Sequence, residues 1–236
     1  MKNALILGLF GLLAGTLSAA ESSPQDTVIS AAKGLGDKPN YSWTITLKEG
    51  YGNSGRFPPI VGKTDKSGIM YLKTMDGATS GEVYMNGQKG TAGGPGGWQT
   101  FDELAKLGGF AAAIVRHLRL YKTPSAECGV LAGALQNVKE EQGILSGELK
   151  GDAAKEYLEP YIPPFAGQPP PKIADPRGSV KFWIGKGMLT KYEINVQCRV
   201  IRSDQESEFQ RTTTVEIKNV GTTKLEVPEG AKQKLL

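Results

Sequence analysis

The stretch Val180-Lys181-Phe182-Trp183-Ile184-Gly185-Lys186-Gly187-Met188-Leu189-Thr190-Lys191-Tyr192-Glu193-Ile194 decides the fold. Val180, Phe182 and Ile184 alternate with polar or bulky neighbours up to the turn Gly185-Lys186-Gly187. The return run then puts Met188, Thr190, Tyr192, Ile194, Val196, Cys198 and Val200 on one face and Lys191, Glu193, Asn195, Gln197 and Arg199 on the other. A period of two across a glycine turn predicts a hairpin whose sheet is covered on one side only.

Outward from this hairpin the pattern repeats on both sides. Phe209, Thr213, Val215 and Ile217 alternate against Thr212, Thr214, Glu216 and Lys218, and Lys224 to Val227 predicts a short closing strand ended by Pro228. Upstream, Tyr41, Trp43, Ile45 and Leu47 alternate with Ser42, Thr44, Thr46 and Lys48. Strands are expected around 69–74 and 81–85, with Asp76-Gly77 and Asn86-Gly87 as turn dipeptides. Val28, Ile29 and Ala32 predict a short helix stopped by Gly34 and Gly36.

The middle has a different character. Leu104, Leu107, Phe110, Ile114, Val115 and Leu118 suit one or two amphipathic helices broken near Gly108-Gly109. Thr123-Pro124 reads as an N-cap with proline in the first turn of another helix. Strand-like segments follow at 137–141 and 144–149, then a short helix at 152–158. Seven of the fourteen prolines lie between Pro160 and Pro176, which predicts a long proline-rich loop rather than an ordered strand or helix. The fold class expected is α+β: a curved antiparallel sheet forming an unclosed half-barrel, with helices on its concave face. Residues 21–236 form a single domain in this reading, with a Gly/Pro-rich helical insertion at about 91–176.

Composition bounds the function. The 236 residues are 39% hydrophobic and 22% charged with a net charge of +4, enough apolar material for one core and too little charge for an electrostatic nucleic-acid binder. Met1-Lys2-Asn3, the apolar run Ala4 to Leu17 and the small residues Ser18-Ala19-Ala20 predict a cleaved secretory signal rather than a membrane anchor, because the run is short for a bilayer span. Cleavage near Ala20 gives a periplasmic or secreted protein, not an integral membrane protein. Cys128 and Cys198 have two open readings: a disulfide closing a long loop, or two small buried residues.

Catalytic motifs are not evident. The single histidine, His117, lies between Arg116 and Leu118 on a predicted helix, and with two separated cysteines it predicts neither a metal site nor a catalytic base. Gly77-Ala78-Thr79-Ser80-Gly81 places serine one position late for a nucleophile elbow. Gly62-Lys63-Thr64 lacks the glycine a phosphate loop needs at position 57, where Phe57 stands. Gly93-Gly94-Pro95-Gly96-Gly97 lacks the strand and helix context of a dinucleotide site. Carboxylates such as Glu140-Glu141 leave an envelope hydrolase as the least supported reading. No cofactor, no metal and no catalytic residue is expected.

An antiparallel sheet covered on one side, in a secreted chain without catalytic groups, points to its concave face. Trp43, Ile45, Met70, Leu72, Val83, Met85, Phe182, Ile184, Tyr192, Ile194 and Val196 are expected there, as the lining of an apolar trough or as an ordinary core filled by helices.

The residues 180–194, the strands within 213–227 with Gly221 between them, and Pro228 before Glu229-Gly230-Ala231-Lys232 resemble the periplasmic lipoprotein-carrier superfamily: the LolA/LolB-like unclosed barrels, with RseB-like and LppX/LprG-like domains. The resemblance is one of pattern over about the last 60 residues and of element order elsewhere. It implies a hydrophobic cavity that takes acyl chains, and binding rather than catalysis. Expected partners are a lipid or an acylated lipoprotein, with an envelope protein partner as the alternative for a fully packed interaction module, and no nucleic acid. Arg116 is a candidate latch to a ligand carbonyl under the same resemblance.

Overall fold

The computed structural model describes residues 23–51, 55–74, 81–164, 169–203 and 205–235. The expected signal segment and the Asp76-Gly77 turn lie outside them, as does most of the segment 77–81. Helix α1 (Pro24–Gly36) starts at Ser23, whose hydroxyl accepts from the Asp26 N–H. The strands β1 (Asn40–Tyr51), β2 (Gly55–Arg56), β3 (Ile60–Asp65), β4 (Met70–Thr74), β5 (Glu82–Asn86), β6 (Lys89–Gly94) and β7 (Gly97–Thr100) follow. Then come α2 (Phe101–Lys106), α3 (Gly109–Leu118), α4 (Pro124–Ala134), β8 (Leu135–Glu141), β9 (Ile144–Leu149), α5 (Gly151–Leu158) and a 3-10 turn at Glu159–Tyr161. The chain closes with β10 (Lys172–Gly185), β11 (Met188–Arg202), β12 (Gln205–Lys218) and α6 (Glu229–Leu235).

All strands join one antiparallel sheet in the order β7-β6-β5-β4-β3-β1-β12-β11-β10-β9-β8, with β2 paired to β1 off this path. The two outer strands, β7 and β8, do not meet, so the sheet is an unclosed half-barrel and the class is α+β. At its centre β1, β12, β11 and β10 pair over long registers, Ser42 opposite Lys218 and Tyr192 opposite Val215 among them. The β10–β11 hairpin turns on Lys186 and Gly187 at φ 51° and 73°, the two positive φ values a two-residue primed turn requires. Gln142 and Gly143, at φ 54° and 74°, do the same for β8–β9.

The concave face carries one continuous core. Trp43, Met85, Phe182, Ile194, Val196 and Val215 come from the sheet, and Val28, Leu35, Phe101, Val115, Cys128, Leu131 and Leu158 from the helices laid over it. The helices begin where the sequence places their caps: Thr123 accepts from Ala126 ahead of Pro124, and Thr100 and Glu103 form a reciprocal capping box.

Five expectations need correction. β10 begins at Lys172, so the end of the proline-rich segment is strand; Asp175 and Pro176 stand opposite the single residue Cys198 as a bulge, where a missing N–H does no harm. Thr190 is also a bulge residue, exposed, its hydroxyl donating to the Trp183 carbonyl at 3.0 Å, while Leu189 takes the inward place. The 91–176 span, besides the strands expected at 137–141 and 144–149, which are β8 and β9, also supplies β7 to the sheet, so it is more than a helical insertion. Residues 224–227 are not a strand, and they lead into α6. That helix lies on the opposite, outer face, where Ala231 and Leu235 pack with Tyr71 and Tyr84 and against Trp98.

Candidate functional site

The helices do not seal the whole concave side. α3, α5, the 3-10 turn, the prolines that follow it and the start of β10 enclose a groove of about 620 Å³. Its walls are chiefly apolar, with Ala113 from α3, Leu120, Ile162, Pro163 and Ile173 from β10 among the lining residues. The sequence builds it locally. Pro160 ends α5 and opens the 3-10 turn, buried Ile162 anchors the chain, and the prolines lack the N–H groups that would let them join β10. Arg202 holds the segment by donating to the Pro163 carbonyl at 3.2 Å. Arg116, Lys155 and Lys172 also line the groove, and Glu159 pairs with Lys155 at 3.8 Å.

Behind the groove lies a smaller chamber of about 70 Å³ with a different chemistry. The two share His117, Leu120 and Pro160 as lining residues. Tyr121, Lys122, Glu127, Tyr157, Tyr161, Arg211 and Thr213 give it a polar lining, beside Ile45 and Leu47 from β1. Rings are layered here: His117 meets Tyr161 edge-on at 4.9 Å and Tyr121 at 6.0 Å, while the Arg211 guanidinium lies 3.6 Å over the Tyr161 ring. Arg211 is ion-paired with Glu49, its cross-strand partner in the β1–β12 register. The Tyr192 hydroxyl donates to the Glu127 carboxylate.

The electrostatics follow from burial. Desolvation pushes the Glu127 carboxyl above its ordinary value, with the Tyr192 hydrogen bond and Lys122 opposing. It pushes His117 down, so the imidazole favours its neutral form, and lowers Arg211 to about 10, still cationic at neutral pH. The phenols of Tyr121, Tyr157, Tyr161 and Tyr192 are all raised, burial being the first cause, and remain proton donors. Among the buried polar atoms of this chamber, the Arg211 Nε–H has no acceptor and the Thr213 hydroxyl no hydrogen-bond partner.

The structure brings the eleven expected lining residues to the core. Trp43, Ile45, Met70, Leu72, Met85, Phe182, Tyr192, Ile194 and Val196 are buried, and Val83 and Ile184 are packed against them. Of the eleven, Ile45 lines the chamber and Tyr192 reaches it through Glu127. Over the rest, the trough is filled by helices; open volume is found at the α3 and α5 end. Arg116 does face the groove. Both cysteines are free and buried, so the disulfide reading is not the one adopted; burial raises both thiols, Cys198 to about 11, which leaves them unreactive. Among the described residues no three histidine, cysteine or acidic side chains gather as a metal site.

The inward polar residues escaped sequence reading, although parity marks two of them. Glu49 continues the inward series Trp43, Ile45, Leu47, and Arg211 falls between Phe209 and Thr213. A charge on the covered register of a strand was the available signal. Glu127 and the tyrosines of α5 and its turn carry none, because their placement depends on helix docking.

No family model matches the chain, and no curated protein matches it. Among solved structures it is similar to LprF from Mycobacterium bovis, 13% identical over 88% of this chain and 97% of that one with a TM-score of 0.41. It is also similar to the Mycobacterium tuberculosis lipoprotein LppX, 6% identical over 89% and 100% of the two chains with a TM-score of 0.42. A DUF1329 family protein from Desulfovibrio piger is 11% identical over 86% and 93%, with a TM-score of 0.35. Likeness of this kind extends along nearly the whole chain at low identity and carries no functional argument.

Proposed function

We propose that this protein is an extracytoplasmic binding or carrier protein that holds an acyl chain of a lipid or lipoprotein in the groove between α3, α5 and the proline-rich segment. The observation that supports this reading is the groove itself: about 620 Å³, within the range of small-molecule sites, and walled by Ala113, Leu120, Ile162, Pro163 and Ile173. Each methylene buried there gives about 0.8 kcal/mol, so a dozen give about 10 kcal/mol, enough to offset an association cost in the lower half of the roughly 4 to 15 kcal/mol range. No described helix is long and apolar enough to cross a membrane. The site belongs in this reading to the proline-rich side rather than to the sheet centre.

An inward polar pair would favour a carboxylate hydrolase, and Glu49 with Arg211 is such a pair. Its partner is a cation, however, and Glu127 is engaged by the Tyr192 hydroxyl. Binding is therefore the reading adopted.

The test is native mass spectrometry with lipid extraction on protein purified from its own host's envelope, followed by uptake of fluorescent acyl probes by wild type and Ala113→Trp. Ala113 is part-exposed on α3, so the indole fills the groove rather than the core. Co-purified acyl lipid and a tenfold or greater loss of uptake in the variant are expected. Ligand-free protein that takes up no probe would sink the reading, as would uptake unchanged by the tryptophan.

A further inference from the structure

The small chamber behind the groove is costly to a protein that only needs a core. It holds a nearly buried guanidinium, a carboxylate and three tyrosines beside the apolar residues Ile45 and Leu47. Polar groups so placed cost stability unless every donor and acceptor finds a partner. Here two donors do not: Nε–H of Arg211, on a residue 5% exposed, and the hydroxyl of Thr213, on a residue 6% exposed. Unmet donors facing a void ask for an oxygen acceptor from outside the protein.

We propose that this chamber is a second subsite, for an uncharged, hydroxyl- or ester-bearing head group of about glycerol size, entered from the groove past His117, Leu120 and Pro160. The inference rests on the groove reading and adds which end of the ligand goes inward.

Three observations set the ligand class. Size comes first: at roughly 10 to 15 Å³ per water position, about 70 Å³ holds some five small-atom positions, a few carbons and oxygens and not a sugar ring. Charge comes second. Arg211 is already balanced by Glu49, and Glu127 lies in the same wall, so an added carboxylate or phosphate faces an acid without a free cation behind it. Lys122, exposed at the chamber's edge, is set against Glu127, and Arg116 lines the groove, so the cation left over for an anionic head lies outside the chamber. Donor chemistry is third. The phenols of Tyr121, Tyr157 and Tyr161 supply O–H donors, the unmet Arg211 N–H another, and Glu127 an acceptor, a set matched by hydroxyl and carbonyl oxygens. The chain of such a molecule then runs outward along Leu120 and Ile162 in the groove.

The test is displacement of a fluorescent acyl probe from the full chain by 1-monooleoylglycerol, methyl oleate and oleate. Wild type is expected to bind monooleoylglycerol at least tenfold tighter than either of the others. Tyr121→Phe and Tyr157→Phe each remove one hydroxyl while keeping the ring. Each should weaken monooleoylglycerol roughly twofold to thirteenfold, the ratio equivalent to one lost hydrogen bond, and leave methyl oleate unchanged. Thermal unfolding of both variants reports whether the ring packing survives. Equal affinity for the three lipids, or tighter oleate, overturns the chamber as a neutral head-group site while leaving the groove reading intact. Phenylalanine variants that weaken methyl oleate and monooleoylglycerol alike overturn the chamber in the same way. Failure of all three lipids to displace the probe overturns the groove reading itself.

Discussion

Replacing Arg211 with methionine breaks an ion pair that the sheet holds inward, and its cost is set by what is left behind. The Arg211 side chain is 6% exposed and the Glu49 side chain 23%, so Arg211→Met leaves a carboxylate largely out of water with no cation. Breaking a buried pair from one side costs about 3 to 5 kcal/mol, and the partial exposure of Glu49 brings the expectation to the lower end, about 3 kcal/mol. Loss of the guanidinium from the Tyr161 face acts in the same direction, partly offset by the methionine sulfur packing on that ring. Glu49→Leu alone leaves Arg211 charged and unpaired, although Tyr161 remains beneath it, at about 2 kcal/mol. Combining the two removes both charges, and an apolar pair of similar volume is often neutral against a buried ion pair. The double variant should therefore be more stable than Arg211→Met alone, with a coupling of about 3 kcal/mol or more across the cycle. Equilibrium urea unfolding, followed by tryptophan fluorescence at constant slope, measures all four proteins. Costs that simply add to within about 0.5 kcal/mol, or an Arg211→Met penalty below about 1 kcal/mol, would refute the reasoning.

Two further outcomes follow from the same structure. Because burial holds the Glu127 carboxyl above its ordinary value, the folded chain keeps a proton there that the unfolded chain gives up. That contribution is complete below the unfolded carboxylate value and is lost as pH rises through the folded one. Glu127→Gln still accepts from Tyr192 but does not titrate, so it should gain stability relative to wild type between about pH 4.5 and 7. His117 has the opposite dependence, losing its contribution below about pH 6.5, and cancels because both proteins carry it. Urea midpoints at the two pH values decide, and parallel pH curves contradict the placement of Glu127. At Gly62 an added Cβ would lie 2.0 Å from Trp43 Cε2, so Gly62→Ala should cost about 2 to 3 kcal/mol and shift Trp43 emission to the red. Gly129→Ala, which meets nothing within 4 Å on helical α4, should instead stabilise by about 0.5 to 1 kcal/mol; a neutral Gly62→Ala would mean that the indole does not lie on β3.

How legible each element was depends on whether its pattern is local. The β10–β11 hairpin reads from sequence because alternation and a Lys186-Gly187 turn agree, and the α4 start because Thr123-Pro124 is a cap by itself. β3 and β6 were hidden for one physical reason: an aromatic ring stands where their own side chains would be. Gly62 lies under Trp43, Gly90 under Phe101 and Gly93 beside Trp98, so these strands show glycine where alternation expects an apolar residue. The stretch 93–97 accordingly reads as a flexible loop although it is the β6–β7 turn. At the candidate site, Arg116 and Ile45 are among the residues the sequence points to, and the eleven inward residues lie on the predicted face. The groove was not legible, since it arises where Pro163, Pro164, Pro170, Pro171 and a 3-10 turn stand against α3, a juxtaposition no single segment encodes.

The same strands explain why the opening lies where it does. Along β1 the inward series runs Trp43, Ile45, Leu47, Glu49, and along β12 it runs Val215, Thr213, Arg211, so the concave face passes from apolar to polar within one register. Helices α1, α2 and α4 cover the apolar part with matching Val28, Leu35, Phe101 and Leu131. Toward Thr213 and Arg211 an apolar helix face would strand the polar groups, and the chain instead supplies tyrosines, Glu127 and His117 around a void. A sequence shaped for stability alone would continue the apolar series, because an inward Arg–Glu pair adds little over packed hydrocarbon. Local consistency broken at one end of an otherwise consistent face marks the place where a fold serves something besides its own core. The groove beside it is where a ligand meets both chemistries, hydrocarbon along Leu120 and Ile162 and hydrogen-bond donors behind His117.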